Sequence, residues 1–258
     1  MMKKILITGS TDGIGLETAR MLADMGHQVL IHGRNPAKVE KLAAELGAES
    51  YVADLSDLTE VEALATAVAE KHETLDVLIN NAGVFKVAEP VLGNGLDVRF
   101  VVNTVAPYLL TRKLLPMLGT SGRVVNLSSA AQAPVDLNAL MGKTQLDDMG
   151  AYAQSKLAIT MWSMEMAKEL GTNGPAVIAV NPGSLLASKM VREGFGVTGS
   201  DLGIGVDILC RAALSDEFAD ASGKYYDNDS KRFANPQADA LNPAMRKEVV
   251  RSIESLIH

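Results

Sequence analysis

Cysteine is nearly absent from this chain of 258 residues. Cys210 stands alone, so no internal disulfide can form, and no Cys-x-x-Cys pair exists to hold a metal or exchange thiols. In the apolar run Ile208-Leu209-Cys210, Cys210 reads as a small core residue, and the chain fits a reducing compartment. Positive charge is also short. The 24 Lys and Arg face 31 Asp and Glu, a formal net charge of −7. That sign does not suit a partner held by phosphate neutralisation, so no nucleic acid is expected. Long apolar runs are missing. The uncharged stretch from Gly171 to Ser188 is broken by Pro175 and Pro182 and cannot span a bilayer. After Met1-Met2-Lys3-Lys4, only Ile5, Leu6 and Ile7 precede Thr8-Gly9, too few for an export signal. His27, His32, His72 and His258 have no partners in a triad pattern. The expectation is a soluble, cytoplasmic protein without a metal.

Apolar residues are plentiful at 47%. A chain of this length can bury roughly three quarters of its unfolded surface in one domain. Short β-rich runs alternate with helical patterns. Strands are predicted at Lys4–Thr8, Gln28–His32, Glu49–Ala53, Leu75–Ile79, Arg123–Leu127, Ala176–Val180 and Lys224–Tyr226. Helices are predicted at Gly13–Met25, Pro36–Leu46, Leu58–His72, Ala151–Leu170, Leu202–Ala213 and Ala244–Ile257, with a long one over Asn94–Leu118 interrupted at Pro107. Such alternation implies parallel pairing with right-handed crossovers. The fold class is therefore α/β, a single-domain Rossmann-type doubly wound sheet with helices on both faces, spanning residues 1–258. Around Leu157, Met161, Trp162 and Met164 the helix is apolar on more than one side, which calls for a second subunit or a neighbouring helix.

Thr8-Gly9-Ser10-Thr11-Asp12-Gly13-Ile14-Gly15 lies between the first strand and the first helix. Glycine at 9, 13 and 15 lets the backbone turn tightly and approach a ligand. The amides at the helix start then face a pyrophosphate, which the helix dipole favours. Such turns also serve merely to seat a helix on a sheet, so the rest of the chain must decide. Tyr152 and Lys156 are four apart on a predicted helix and share a face. Alone, that pair reads as a lysine one turn past a half-buried tyrosine. With a serine pair, Ser128-Ser129, at the end of the fifth strand, it gains chemistry, because ligands of doubly wound sheets bind beyond the strands' carboxyl ends.

Six motifs in order resemble the short-chain dehydrogenase/reductase family: the Gly-x-x-x-Gly-x-Gly turn, Asn80-Asn81-Ala82-Gly83, Asn103, Asn126-Leu127-Ser128-Ser129, Tyr152-Ala153-Gln154-Ser155-Lys156 and Asn181-Pro182-Gly183. The resemblance spans nearly the whole chain. It implies an enzyme that interconverts a carbonyl and an alcohol by hydride transfer with a nicotinamide cofactor. By that likeness Tyr152 is the general acid and base, and Ser129 binds the substrate oxygen. Lys156 holds the nicotinamide ribose and favours phenolate, and Asn103 holds a water in a proton relay. The cofactor would lie against Gly9, Ser10, Asp12, Gly13, Ile14 and Gly15, against Asp54 and Leu55 at its adenine, and against Asn81, Ala82, Gly83, Pro182 and Gly183. An NAD site places an acid at the end of the second strand. This chain has Gly33-Arg34-Asn35 there, and an arginine fork suits a 2′-phosphate, so NADP is favoured over NAD. Asp12, an acid beside the second glycine, counts against that preference.

Ser129 and Tyr152 stand 23 residues apart, farther than in many members of the family. This spacing resembles the retinol-dehydrogenase-like branch, as does Ser222-Gly223-Lys224-Tyr225-Tyr226. That branch implies a small-molecule, apolar carbonyl or alcohol substrate. The segment 130–150 and the segment Ser184–Ser200, where Gly194, Gly196 and Gly199 interrupt apolar residues, read as a substrate-side insert and lid. The alternative is that both pack on the domain or on another subunit. Ser184 or Ser188 must replace the family's threonine at the carboxamide. A nicotinamide-binding regulator without turnover is the competing function. An epimerase or dehydratase would need a substrate domain that this short second half lacks, and a homo-oligomer is left open.

Overall fold

The first strand, β1 (Lys4–Ile7), buries its last three side chains completely. Ile5 and Ile7 enter one layer of the core and Leu6 the other, the two-residue period of a strand covered on both faces. Each such side chain contributes about 1.5–3 kcal/mol on burial. β4 (Leu75–Asn80) repeats the pattern, with Val77 and Ile79 on one face and Leu78 on the other. In the computed structural model of the chain, residues 1–187, 190–192, 196 and 198–257 are described.

β2 (Gln28–Gly33), β3 (Glu49–Val52), β5 (Leu118–Leu127), β6 (Ala176–Asn181), β7 (Tyr225–Asp227) and β8 (Arg232–Ala234) complete one sheet in the order 3-2-1-4-5-6-7-8. Every pairing is parallel except β7 with β8. α1 (Gly13–Asp24), α2 (Pro36–Leu46) and α6 (Gly203–Leu214) cover the face of Ile5 and Ile7. α3 (Leu58–Lys71), α4 (Ala106–Leu114) and α5 (Asp148–Leu170) cover the other. The chain runs outward from β1 to β3, then returns to place β4 on the other side of β1. Between those two strands lies the crevice where doubly wound sheets bind ligands. The sequence expectation of one Rossmann-type sheet is borne out.

Several boundaries differ from the sequence reading. Helical structure starts at Val98, not Asn94, because the Asp97 carboxylate accepts the Arg99 N–H at 2.8 Å and caps it. A π-helical turn, Val101–Val105, then precedes α4. Pro107 has no N–H for the carbonyl of Asn103 four residues back, and the wider turn carries the helix past it. β5 begins at Leu118, paired with Leu75, five residues before the expected start. α5 begins at Asp148, because Asp147 accepts the Gly150 N–H. β8 was not foreseen, and Cys210 is only partly buried. The apolar girdle of α5 has its cover in α7 (Pro243–Glu254), whose Val249 and Ile253 join Met161, Trp162 and Met166 in one cluster. A neighbouring helix takes that side. Ala139 and Leu140 of segment 130–150 are fully buried in the same core, and Leu137 and Leu146 pack against it. Among the described residues no helix is long and apolar enough to cross a membrane.

Two buried polar groups fix the geometry ahead of the site. Arg99, 1% exposed, forks onto Asp97 (2.6 Å) and reaches Asp148 (2.5 Å), strapping the Asn103 helix to the first turn of α5. His32, 2% exposed, accepts the Gly9 N–H at Nδ1 (3.1 Å), while its Nε2 meets the Ala53 carbonyl (3.1 Å). Only the neutral ring with its proton on Nε2 satisfies both. Burial accordingly lowers the His32 pKa to about 4.

Arg99→Met should cost about 3 kcal/mol in urea unfolding, the lower end for breaking a buried pair, because Asp148 reaches solvent; a loss under about 1 kcal/mol would contradict the strap. For His32 the sign is that of a depressed pKa. The unfolded chain takes up a proton below about 6.5 and the folded chain only near 4, so stability is lost as pH falls through that window. The slope should approach ~1.4 kcal/mol per pH unit. His32→Gln should remove that component from the difference between pH 7 and pH 4, and an unchanged pH dependence would refute it.

Candidate active site

The turn after β1 is pinned from two sides. Thr8 Oγ1 accepts the N–H groups of Asn81 and Ala82, both at 3.1 Å. The Asn81 side chain donates to the carbonyls of Thr8 (2.9 Å) and Gly9 (3.0 Å). Gly9 has φ +64°, and a Cβ there would stand 2.9 Å from the Ala82 Cα, so no other residue fits. Ser10 is fully buried and exchanges hydrogen bonds with the His32 main chain; its side chain holds the loop to β2. Asp12 caps α1 through the Gly13 N–H. Behind the loop, Asn80 ties β4 to α4 and β5 through Thr111 (3.0 Å) and Asn126 (2.7 Å).

A cavity of about 540 Å³ runs along the carboxyl ends of the strands. Gly9, Asp12, Gly13 and Ile14 line it at the centre, Arg34, Asp54 and Leu55 beyond β2 and β3, and Asn81, Ala82 and Gly83 beyond β4. Tyr152, Lys156 and Pro182 line it on the β5–β6 side. Ser10, Gly15, Asn103, Ser129 and Gly183 stand outside its wall. Gly15 backs onto Asn81. Sequence reading missed Thr11, His32, Lys38, Phe85, Val102 and Met190, which also line the cavity. Lys38 carried a signal, since it stands four residues past Arg34 at the start of α2. The apolar residues directly after Asn80-Asn81-Ala82-Gly83 were another.

Around Tyr152 the groups meet closely. Ser129 stands near enough to Tyr152 to favour its phenolate, and its Oγ accepts the Ala131 N–H at 3.1 Å. Lys156, 4% exposed, donates to the Leu127 carbonyl at 2.8 Å, and its Nζ lies 5.6 Å from the centre of the Tyr152 ring. The Phe85 ring packs on the Tyr152 ring at 5.1 Å. Burial pushes the Tyr152 phenol up, and the nearby Ser129 hydroxyl works against it. Burial pulls Lys156 down to about 8. Each shift favours the neutral form, as expected where water is excluded. The expectation that Lys156 draws the phenol down is not met in this cavity, where desolvation wins. The Asn103 amide is fully engaged: it accepts from Val84 N–H (2.8 Å) and donates to the Val84 carbonyl (2.9 Å) and Ser155 Oγ (3.0 Å).

Beyond β2, Arg34 is exposed and has no ion pair among the described residues. Lys38 reaches Asp12 at 3.7 Å, both more than half exposed. A Cβ on Gly33 would stand 2.8 Å from Thr11 Cγ2 and 3.0 Å from Val39 Cγ2. There is no room for an acid at that position. On the β6 side, Ser184 is committed elsewhere: Asp229 accepts both its N–H (2.8 Å) and its hydroxyl (2.5 Å). Ser188, Gly194 and Phe195 of the expected lid lie outside the described residues.

The model of the short chain dehydrogenase family matches residues 3–195. Human retinol dehydrogenase 13 is 31% identical, over 95% of this chain and 82% of its own length. An uncharacterised protein of Mycobacterium paratuberculosis has a solved structure with a TM-score of 0.77 at 26% identity, covering 99% of this chain and 93% of that one. A structure from Escherichia coli CFT073, assigned as a short chain dehydrogenase and complexed with NADPH, gives 0.69 at 26% identity, with coverage of 88% and 96%. This chain therefore belongs to the short-chain dehydrogenase/reductase family of oxidoreductases.

Proposed function

We propose that the chain transfers a hydride between NADP(H) and the carbonyl or alcohol carbon of an apolar substrate, with Tyr152 as general acid and base. The observation that carries this reading is the cavity itself, with Tyr152 and Lys156 on one stretch and the glycine turn and two cations on the other. The residues fit the cofactor. The Gly9 turn presents backbone without side chains to a helix N-terminus, and the Arg34–Lys38 end suits a phosphate. A bound nicotinamide would supply or accept the hydride.

For reduction, Tyr152 must arrive protonated, and burial keeps it so at neutral pH. Ser129 Oγ accepts the Ala131 N–H, a bond that does not use its proton, so the hydroxyl can still donate to the substrate oxygen or to Tyr152. Lys156 uses one of three N–H donors on Leu127 and keeps two for ribose hydroxyls and the proton path. It holds its charge up to about pH 8, so cofactor affinity should decline above that. With its side chain engaged, Asn103 offers the relay only its main-chain carbonyl, which Pro107 leaves without an α-helical partner. On the substrate side Val84, Phe85, Val87, Val102 and Met190 form an apolar wall. A relative named for retinol agrees with an apolar alcohol. Lys38 offsets the Asp12 charge that spoke against a 2′-phosphate, and their exposed pair is weak enough to give way.

Tyr152→Phe should lower turnover by about 10²–10⁴ while cofactor affinity, read by nicotinamide fluorescence, stays nearly constant; retention of a tenth of the rate would remove Tyr152 from its role. Lys156→Ala should weaken cofactor binding as well. Steady-state kinetics with both cofactors should show a preference for NADPH. Arg34→Ala should cost it roughly 10- to 150-fold, Lys38→Ala should add to that, and NADH should be little affected. Equal efficiency with NADH in the wild type would make both cations surface residues.

A further inference from the structure

The run Ser222-Gly223-Lys224-Tyr225-Tyr226 does something in this structure beyond extending the sheet past β6. Ser222 Oγ accepts the Val177 N–H (3.2 Å) and the Gly223 N–H reaches the Val177 carbonyl (2.8 Å), seating β7 beside β6. Tyr226 anchors it further, with its ring 5.1 Å from both Phe218 and Phe233. β7 is thus held without Tyr225. In register, Tyr225 sits opposite Ala179 of β6, yet its hydroxyl passes over that strand and donates to the Ser129 carbonyl at 3.1 Å. Gln132 Nε2 donates to the same carbonyl at 2.9 Å, and its Oε1 is in turn fixed by the Gln237 N–H at 2.8 Å. Ser129 is therefore clamped at three points: two donors on its carbonyl, and the Ala131 N–H on its Oγ.

We infer that Tyr225 is a positioning residue for Ser129, holding the Ser129 peptide so that its hydroxyl faces Tyr152 and the substrate oxygen. The inference rests on the proposed role of Ser129. The ring of Tyr225 is buried on a strand already secured by its neighbours, so among the described residues its hydroxyl makes one hydrogen bond, and that bond lies at the site. Burial keeps the phenol protonated and hence a donor. A misdirected Ser129 would stabilise charge on the substrate oxygen less well, which acts on the chemical step and not on cofactor binding.

A double-mutant cycle tests this on the full chain with NADPH and an active carbonyl substrate. Tyr225→Phe keeps the ring and removes only the donor. It should lower kcat about fivefold, with cofactor affinity and melting temperature nearly unchanged. In a Ser129→Ala background the same substitution should change kcat by less than about twofold, because nothing is left to position. Gln132→Met, which removes the second donor to the same carbonyl, should show the same dependence on Ser129. Equal losses in both backgrounds would make Tyr225 merely structural and overturn the inference, as would no loss in the wild-type background. If Ser129→Ala itself kept wild-type turnover, the proposed role of Ser129 would fall, and this inference with it.

Discussion

The turns that follow β1 and β4 touch through their backbones, and the placing of the site depends on that seam. A side chain at Gly9 would run into Ala82, and the Asn81 amide bridges the carbonyls of Thr8 and Gly9. From the seam outward the sheet order does the rest. Strands β2 and β3 carry Arg34 and Asp54 to one stretch of the cavity, while β5 and β6 carry Ser129 and Pro182 toward the other. His32 supports the seam from beneath, with a neutral ring between Gly9 and Ala53. Buried backbone groups in this region are satisfied by fixed partners, and that is what lets a loop hold a shape fit for an anion.

Around Tyr152 the dominant force is the exclusion of water. It drives the phenol up and the ammonium of Lys156 down, so each group is poised to lose or keep a proton according to what enters the cavity. A polarised substrate oxygen or a charged ring would there meet donors that are already oriented, in a medium where electrostatic interactions are strong. Arg99, which ties the Asn103 helix to the start of α5, and Tyr225, which reaches Ser129 from β7, hold those donors from outside the cavity.

Much of this was legible in the chain alone. The buried runs of β1 and β4 read as parallel strands because both faces are covered, and the glycine turn and the Tyr152–Lys156 spacing are local signals. What was not legible is set across the fold. The π turn at Asn103 follows from Pro107, yet sequence shows only an interruption and not how the helix passes it. Leu118 pairs with Leu75 through a register shift that the Gly119-Thr120-Ser121-Gly122 stretch conceals. The partners of His32 and of Tyr225 stand 21 or more residues away in sequence, so neither role has a local pattern. Room for an acid at Gly33 is a question of what Thr11 does, and only packing answers it.

The most direct measurement follows the hydride itself. NADPH carrying deuterium at the transferable position of its nicotinamide is incubated with the protein and a panel of apolar aldehydes and ketones, and the alcohols formed are weighed by mass spectrometry. The account predicts one deuterium in the carbinol carbon of at least one product, formed catalytically and lost in Tyr152→Phe. Cofactor that binds tightly while no member of the panel acquires label would contradict it, and would leave a protein that holds the nicotinamide without using it.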